Sequence, residues 1–294
     1  MNIYRELKTI LTEGNLSEGE SKAVALMLLE KVAGLPTAKA LIADGKDLLC
    51  RRQSLLELAA RVAQGEPVQY VLGEADFCGL TMKVQPGVLI PRPETEELVN
   101  WVIENDNDNL NHNDNHNFQL SIKQVLDIGT GSGCIAVALA KKLKSAKVEA
   151  WDVSDIALQI AQENATRNGV NVKLKKVDVL SNLNDNHNLI SFDVIVSNPP
   201  YICEEEMKEM EKHVLEHEPK LALFVPNNDP LLFYRRIAEL GLSMLAKSGK
   251  LFFEINRRFG KDVVKMLKEM NYQEVELRQD MFGNDRMVKA INPS

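Results

Sequence analysis

The sequence predicts an α/β fold, in which a small helical domain precedes a seven-stranded, mostly parallel sheet covered by helices. From Gln124 onward, short apolar segments alternate with amphipathic ones, the order expected of a parallel sheet with helices on both faces. Seven of these segments have the composition of strands. The first 75 residues or so show helical spacing instead.

The helical prediction for the N-terminal part depends on three local patterns. Ile3, Leu7 and Leu11 fall on one face of a helix. The segment SEGE at 17–20 has the Ser-x-x-Glu spacing of a capping box and precedes the apolar AVALMLL. A second amphipathic stretch, LLELAARVAQG, is expected to end at Gly65. We therefore expect a small helical bundle at 1–75.

A β-hairpin linker is expected at 76–93, between the bundle and the α/β domain at 94–294. The segment FCGLTMKVQPGVLIP alternates, and its Pro86-Gly87 pair predicts the turn. ETEELVNWVIE at 94–104 then returns to helical spacing. The Asn/Asp-rich segments 105–117 and 181–189 are expected to be solvated loops.

The α/β domain is built from alternating strands and helices. Strands are predicted at QVLDIG, KVEAWDV, VKLKKVDV, FDVIVSN, KLFFEIN, YQEVELRQ and RMVKAIN. Helices are predicted at SGCIAVALAKKL, SDIALQIAQENATRN, PLLFYRRIAELGLSMLA and GKDVVKMLKEM, the second of which should begin at Ser154. Because no helix separates the last two strands, the final strand is expected to pair antiparallel.

The composition favours a cytoplasmic enzyme over a nucleic-acid or membrane protein. The formal net charge of −7 argues against a stable nucleic-acid partner. No apolar run approaches the roughly 20 residues of a membrane span, and no signal peptide is recognisable. Four widely spaced cysteines (Cys50, Cys78, Cys134 and Cys203) are expected to be reduced thiols.

A metal site is not expected. HVLEH at 213–217 matches the pattern of some zinc proteases, but it lies in a strongly charged helical stretch. We interpret it as a solvated helix with His213 and His217 facing outward.

A glycine loop follows the first strand of the α/β domain. Gly129, Gly131 and Gly133 let a ligand approach the backbone beside a helix N-terminus. GSGCIA also satisfies the relaxed dinucleotide pattern, so a nicotinamide oxidoreductase remains an alternative. Asp152 ends the next strand, where its carboxylate can accept both ribose hydroxyls in either case.

Asp127 distinguishes the two cofactors. An acidic residue two positions before the first glycine is unfavourable for a pyrophosphate but suits a cationic amino or sulfonium group. It therefore favours S-adenosyl-L-methionine. The alternative is that Asp127 only holds the glycine loop through backbone hydrogen bonds.

The segment SNPPY at 197–201 ends the fourth strand, at the edge where ligands bind. Asn198 Oδ1 and the Pro199 carbonyl are neutral acceptors for the two N–H groups of an amide or amino nitrogen. Consecutive prolines stiffen the turn and supply no competing donor. Tyr201 can stack on a planar group. The segment predicts methylation of a planar nitrogen by orientation and electrostatic stabilisation, without a strong base. A rigid turn that only caps the strand is the alternative.

These motifs resemble class I S-adenosylmethionine-dependent methyltransferases, which have a Rossmann-like fold. GEPVQYVLGEADFCGL, VLIPRPETEELV, SNPPYI and the later EP..AL at 218–223 are similar to the release-factor glutamine methyltransferase (HemK-type) family. The resemblance covers nearly the whole chain. It implies methylation of the glutamine in the Gly-Gly-Gln motif of bacterial class I peptide chain release factors, a modification of translation termination.

The resemblance also implies roles for individual residues. The loop would hold the methionine part of the cofactor with Gly129, Thr130, Gly131, Ser132 and Gly133. Asp152 would bind the ribose and Val179 would lie along the adenine. Asn198 would touch both cofactor and substrate, and the glutamine would be held by Asn198, Pro199, Pro200 and Tyr201. The helical domain at 1–75 would help to bind the release factor.

Some features fall outside the resemblance. The family often has Asp-Gly-Leu where this chain has Asp229-Pro230-Leu231, and the Asn-rich insert is not typical. Arg92, Glu94 and Thr95 either start a helix or close over the cofactor. The nearest alternative function is methylation of adenine or cytosine amino groups in nucleic acid. A binding module without catalysis is a third possibility, which the intact NPPY argues against.

Overall fold

The structure, a computed structural model, describes residues 2–42, 49–111, 122–181 and 191–293. In chain order the first elements are α1 Ile3–Glu13, α2 Glu18–Ala33, α3 Thr37–Ala40, α4 Leu49–Ala63, α5 Val68–Leu72, β1 Glu74–Phe77, β2 Leu80–Lys83 and α6 Pro93–Asn111. They are followed by β3 Gln124–Ile128, α7 Cys134–Lys142, β4 Lys147–Asp152, α8 Asp155–Arg167, β5 Val172–Lys176, β6 Phe192–Ser197, β7 Ile202–Cys203, a 3-10 helix at Glu204–Glu209, α9 Lys212–His217, α10 Lys220–Leu223, β8 Phe224–Val225, α11 Leu232–Met244, β9 Leu245–Glu254, α12 Gly260–Glu269, β10 Gln273–Gln279 and β11 Asp285–Ile291.

The chain divides into two compact units. The first consists of Met1–Glu74 and Met210–His217, and the second of Ala75–Glu209 and Glu218–Ser294. The first unit is helical, as the spacing predicts. Its α2 begins with the expected capping box, in which Ser17 and Glu20 exchange side-chain to backbone hydrogen bonds. Its core contains Ile3, Leu7, Leu11, Ala25, Leu28, Leu29, Leu55 and Ala59, all fully buried.

The hairpin before the α/β domain turns at a different place from the one predicted. The strands β1 and β2 reverse through Cys78 and Gly79, which both have positive φ. Pro86-Gly87 does form the expected turn, in which the Val88 N–H donates to the Gln85 carbonyl (3.3 Å), but this turn follows β2 and does not join the two strands. At the end of β2, the side chain of Asn164 takes the place of a strand partner. The Lys83 N–H donates to Asn164 Oδ1 (2.6 Å), and the Lys83 carbonyl accepts from Asn164 Nδ2 (2.9 Å).

The second unit contains the predicted seven-stranded sheet, in the order β10-β11-β9-β6-β3-β4-β5. The strands from β9 to β5 are parallel to one another. As expected, β11 is antiparallel, and it pairs in this way with both β10 and β9. The mostly parallel α/β class is therefore confirmed.

Helices cover the sheet on both faces, and each face has its own core. On one face, α6 and α7 pack over the sheet, and Trp101 meets Phe252 of β9 edge to face at 5.5 Å. On the other face, α11 and α12 pack over it, and Tyr234 meets Phe253 at 5.4 Å. Successive residues of a strand point to opposite faces, so Phe252 and Phe253 fill separate cores.

The predicted loop at 105–117 is wrong for its first part. The helix α6 continues to Asn111. Asn105 Nδ2 donates to the Trp101 carbonyl (2.9 Å), and Asp106 Oδ1 accepts from the Ile122 N–H (2.8 Å). Asn105 and Asp106 thus have hydrogen-bond partners that composition alone does not predict. Residues 112–117 and 182–189, the rest of the two predicted loops, lie outside the described residues.

Three further expectations concern cysteines, metals and membranes. Cys78, Cys134 and Cys203 are free thiols, and the side chain of Cys50 lies outside the described part. HVLEH falls in the helical segment α9, and within the described ranges no group of three or more His, Cys, Asp or Glu side chains is placed to hold a metal ion. None of the described helices has the length and apolarity to cross a membrane.

Candidate active site

A cavity of about 370 Å³ lies in the second unit, at the carboxyl ends of β3, β4 and β6. This is the edge where open parallel sheets bind ligands. The sequence-predicted residues that line it are Gly129, Thr130, Gly131, Ser132, Asp152, Val179, Asn198, Pro199 and Pro200. Three others do not line it, namely Asp127, Gly133 and Tyr201. Motifs up to about seventy positions apart in the sequence therefore form one site.

The glycine loop presents open backbone to the cavity. Gly129 and Gly131 have φ of 72° and 55°, and a Cβ atom at either position would meet no atom within 4 Å. The Gly129 and Thr130 N–H groups both donate to the Trp151 carbonyl, at 2.9 and 3.0 Å. These bonds hold the loop against the end of β4, while the open side of each glycine remains available to a ligand.

Gly133 is constrained by packing instead. It begins α7 with φ of 79°, and a Cβ atom there would lie 2.8 Å from Ala161 Cβ on α8. Contact at that distance is not tolerated, so the third glycine allows α7 and α8 to approach each other. Its function in the loop is therefore steric.

Asp127 lies beneath the loop and is fully buried. Its Oδ2 accepts from the Thr130 hydroxyl (2.6 Å), whereas its Oδ1 has no hydrogen-bond partner among the described residues. Burial raises the pKa of this carboxyl to about 7. The geometry gives Asp127 a loop-holding contact through the Thr130 side chain, and the backbone N–H of Ala136 also favours the charged form of this carboxyl and so lowers its pKa. An uncompensated carboxylate also favours a nearby cation.

Asp152 at the end of β4 joins the loop to the start of α8. Its Oδ2 accepts from the Gly131 N–H and its Oδ1 from the Ser154 N–H, both at 2.9 Å. Ser154 is the N-cap of α8, as predicted. Burial raises the pKa of the Asp152 carboxyl. Each oxygen retains a second acceptor site, so the carboxylate can bind two hydroxyl groups in the cavity.

An apolar region extends the cavity beyond Asp152. Its lining residues include Ile135, Val177, Val179, Leu180, Phe233 and Ile237. The Val179 carbonyl accepts from Arg236 Nε of α11 at 2.8 Å, which fixes this part of the wall. A lining of apolar side chains suits an aromatic base.

The segment after β6 is anchored at both ends. The Ser197 hydroxyl donates to the Ile128 carbonyl (2.6 Å), which ties β6 to β3. Beyond the prolines, the Tyr201 N–H donates to the Leu223 carbonyl (3.2 Å), and the Tyr201 carbonyl accepts from Asn256 Nδ2 (3.0 Å). Asn198, Pro199 and Pro200 are held between these anchors.

Tyr201 points away from the cavity lining. Its hydroxyl donates to Glu254 Oε1 at 3.2 Å, and burial raises the pKa of this phenol well above its ordinary value. The stacking role that the sequence predicts for Tyr201 stays a prediction, and its ring is not part of the cavity lining. The backbone of Tyr201 still anchors the segment.

Asn198 has one side-chain partner in the described part of the protein. Its Nδ2 donates to Thr95 Oγ1 at 3.2 Å, and the Thr95 hydroxyl donates to Glu254 Oε2 at 2.6 Å. Thr95 lies in the first turn of α6 and lines the cavity. Thr95 therefore takes part in the start of a helix, lines the cavity and contacts the Asn198 amide at the same time.

Arg92 is held by a buried carboxylate. Its Nη2 lies 2.5 Å from Oε1 of Glu218, whose Oε2 also accepts from the Ile90 N–H at 3.3 Å. This ion pair joins two walls of the cavity, around residue 90 and around Pro219. Glu94 does not line the cavity.

Glu218 and Glu254 are the site residues that sequence reasoning missed. A signal existed for Glu254, which ends the apolar strand segment KLFFE just as Asp152 and Asn198 end theirs. Glu218 belongs to the EP..AL motif, but the sequence assigns no role to its side chain.

The site combines a loop for a small ligand, a carboxylate for hydroxyl groups, an apolar slot and two neutral acceptors. Asn198 makes its side-chain hydrogen bond through Nδ2, so its Oδ1 is available to accept another. The Pro199 carbonyl is available as well, because proline has no N–H that could compete for it. Such an arrangement can bind and orient an –NH₂ group beside a bound nucleoside. No general base is required by it.

Comparison with known proteins agrees with this chemistry. One family model, described as "Methyltransferase small domain", matches residues 111–221, and another, "PrmC N-terminal domain", matches 3–73. A release factor glutamine methyltransferase from Bacteroides thetaiotaomicron is 44% identical over 92% of both chains. One from Flavobacterium psychrophilum is 48% identical and covers 84% of this chain and 81% of that protein.

A solved structure shows the same fold. The hMettl16 catalytic domain in complex with MAT2A 3'UTR hairpin 6 matches with a TM-score of 0.55 at 20% identity. The match covers 80% of this chain and 82% of that one.

Proposed function

The chain belongs to the release factor glutamine methyltransferase family, and on that premise we propose that it methylates the glutamine side-chain amide in the Gly-Gly-Gln motif of bacterial class I peptide chain release factors. The observation that carries this proposal is the Asn198–Pro199 pair of neutral acceptors at the cavity edge. The methyl donor is S-adenosyl-L-methionine, and we place the reaction in the cytoplasm.

The cavity fits this donor. The open sides of Gly129 and Gly131 leave room for the methionine part along the loop. Asp152 offers two acceptors to the ribose hydroxyls, and the apolar wall at Val179 suits the adenine. Asp127, with its unpaired oxygen, favours positive charge above it. When bound, S-adenosyl-L-methionine supplies an activated methyl group on a sulfonium centre.

Asn198 and Pro199 do the positioning at the substrate end. Asn198 Oδ1 accepts one N–H of the glutamine amide and the Pro199 carbonyl accepts the other. With both protons held, the nitrogen lone pair has one direction left, toward the methyl donor. The acceptors also stabilise the positive charge that develops on nitrogen. Since a methylated amide nitrogen is acidic, its proton leaves to water and no base is required.

A labelling experiment tests the proposed function. The protein is incubated with methyl-labelled S-adenosyl-L-methionine, a class I release factor and a DNA or RNA oligonucleotide. Label is expected in the release factor, and no label in a release factor whose motif glutamine is replaced by alanine. Label in the oligonucleotide instead would assign the site to base amino groups and overturn the proposal.

Asp152→Ala tests the cofactor assignment. The variant loses the ribose acceptor and the bonds to Gly131 and Ser154, so we expect S-adenosyl-L-methionine affinity to fall by about 1.5–3 kcal/mol. Calorimetry measures this, with Asp152→Asn as the variant that keeps the shape and one acceptor oxygen. NAD should give no heat with the wild-type protein. Unchanged affinity in Asp152→Ala would contradict the assignment.

The first unit is proposed to hold the release factor. The lining of the cavity belongs to the second unit, and among the described residues no N-terminal helix lines it. Deleting residues 1–70 should leave cofactor affinity near wild type. Methylation of the intact release factor should fall by about tenfold or more, the effect of losing 1.4 kcal/mol of binding. A short Gly-Gly-Gln peptide is the control substrate, because its methylation should not depend on the deletion. Full activity of the truncated enzyme on the intact factor would exclude this role.

A further inference from the structure

Glu254 is a buried carboxylate whose contacts connect it to the reaction centre. It ends β9, and it is only 1% exposed. Its Oε2 accepts from the Thr95 hydroxyl at 2.6 Å, and its Oε1 accepts from the Tyr201 hydroxyl at 3.2 Å. Burial raises the pKa of Glu254, while Arg286 favours its charged form. A group accepting two O–H donors in this way behaves as a carboxylate.

The carboxylate determines the direction of the next hydrogen bond. A threonine hydroxyl has a single proton, and here that proton points to Glu254 Oε2. Toward Asn198, Thr95 Oγ1 can therefore only accept. The amide of Asn198 must then turn its Nδ2 to Thr95, which is the bond observed at 3.2 Å.

The orientation of the Asn198 amide follows from the direction in which the Thr95 hydroxyl donates. When Nδ2 faces Thr95, Oδ1 faces the other way and is free to accept. If the amide flipped, Oδ1 would face a hydroxyl oxygen that has no proton to give, and Nδ2 would face the substrate N–H. An acceptor site for the substrate would become a donor site.

We propose that Glu254 is a positioning residue that, through the Thr95 hydroxyl, keeps the Asn198 amide oriented with Oδ1 toward the substrate nitrogen. The proposal rests on the proposed function, because it assumes that Asn198 accepts an N–H of the target amide. Glu254 is not among the residues that line the cavity, so its effect would reach the substrate through Thr95. Its contribution is to fix the donor-to-acceptor direction of the hydrogen bonds that link Glu254, Thr95 and Asn198.

The burial of Glu254 is in keeping with this role. A buried carboxylate costs free energy, and replacing such groups with apolar ones is often neutral or stabilising. A carboxylate at this position can nevertheless accept hydrogen bonds from both the Thr95 and the Tyr201 hydroxyl. A neutral glutamine of the same shape would offer one acceptor and one donor, and the Thr95 proton would no longer have a fixed direction.

Four variants test the chain of hydrogen bonds. Glu254→Gln removes the charge, Thr95→Val removes the hydroxyl at constant shape, Thr95→Ser restores it, and the double variant combines the first two. We measure single-turnover methyl transfer to the release factor with cofactor and factor saturating, and cofactor affinity by calorimetry. Glu149→Gln is the control for neutralising a buried carboxylate, since Glu149 pairs with Lys173 and Lys175 away from the cavity.

The expected result is a loss in rate with unchanged binding. Glu254→Gln and Thr95→Val should each lower the rate by about ten- to a hundredfold, the range for losing a hydrogen bond that involves a charged group. Cofactor affinity should stay within about threefold. The double variant should be no slower than the slower single variant, because both changes break the same chain. Thr95→Ser and Glu149→Gln should retain nearly the wild-type rate.

Other outcomes overturn the proposal. Wild-type rates in Glu254→Gln and Thr95→Val, with Asn198→Ala inactive, would remove Glu254 from positioning and leave the proposed function intact. Losses that multiply in the double variant would mean that the residues act independently. If Asn198→Ala were itself fully active, the proposed function would fail first. Should Glu254→Gln not fold, the Thr95→Val and Thr95→Ser pair decides, because slow Val and fast Ser variants require the hydroxyl.

Discussion

Replacing Asn198 with alanine is expected to lower the rate of methyl transfer by roughly a hundred- to a thousandfold, or about 3–4 kcal/mol. The change removes an acceptor that is fixed before the reaction, and an N–H of the target amide is left unpaired in the transition state. It also frees the nitrogen to rotate away from the methyl donor. Single-turnover transfer at saturating cofactor measures the loss. A wild-type rate would show that the NPPY segment is not catalytic.

Asn198→Asp makes the same test sharper. Aspartate keeps an acceptor oxygen of similar size, and acceptance alone would preserve appreciable activity. The structure predicts loss of activity instead. Thr95 Oγ1 accepts a hydrogen bond from Asn198 Nδ2, and its own proton is already donated to Glu254. A second carboxylate at 198 would face a lone pair and lie near a buried negative charge. The Asp variant should therefore be about as slow as the Ala variant. High activity in it would mean that the donor contact to Thr95 is dispensable.

Gly133→Ala is expected to destabilise the protein by about 2–5 kcal/mol. The residue has φ of 79°, and left-handed backbone costs an L-residue about 1–2 kcal/mol. The new Cβ would also lie 2.8 Å from Ala161 Cβ, which adds an overpacking cost of about 1–3 kcal/mol. Urea unfolding measures the change. Because α7 and α8 must separate, cofactor affinity should fall as well.

Gly169→Ala is the matched control for that substitution. Gly169 has a similar φ of 65°, but a Cβ atom there would meet no atom within 4 Å. Its variant should lose only the backbone cost, about 1–2 kcal/mol, and bind the cofactor normally. Equal destabilisation of the two variants would contradict the steric role of Gly133.

Much of the fold in both units was predictable because its signals are local. Capping at Ser17 and at Ser154 is encoded within four residues, and both caps are observed. Alternating strands and helices dictate a parallel sheet, and the carboxyl ends of parallel strands meet at one edge. That rule alone brings Gly129, Asp152 and Asn198 to one cavity.

Local signals were misleading where distant partners compete with them. Pro86-Gly87 does form a turn, but the hairpin reverses at Cys78-Gly79, and the side chain of Asn164, 81 positions away, hydrogen-bonds both backbone groups of Lys83 at the end of β2. The Asn-rich segment was expected to be a loop from residue 105. Buried Asp106 accepts from the Ile122 backbone, and α6 continues past it.

The fold class, the glycine loop, the NPPY segment after β6 and the family resemblance could all be predicted from the sequence. The burial of Asp127 under the loop, the contact of Tyr201 with Glu254 and the contact of Thr95 with Asn198 became visible only in the folded chain. These contacts join residues that lie far apart in the sequence. Thr95 is 103 positions from Asn198 and 159 from Glu254. No periodicity or local motif couples residues so far apart, and only packing of α6 against the end of the sheet brings one hydroxyl between an amide and a carboxylate.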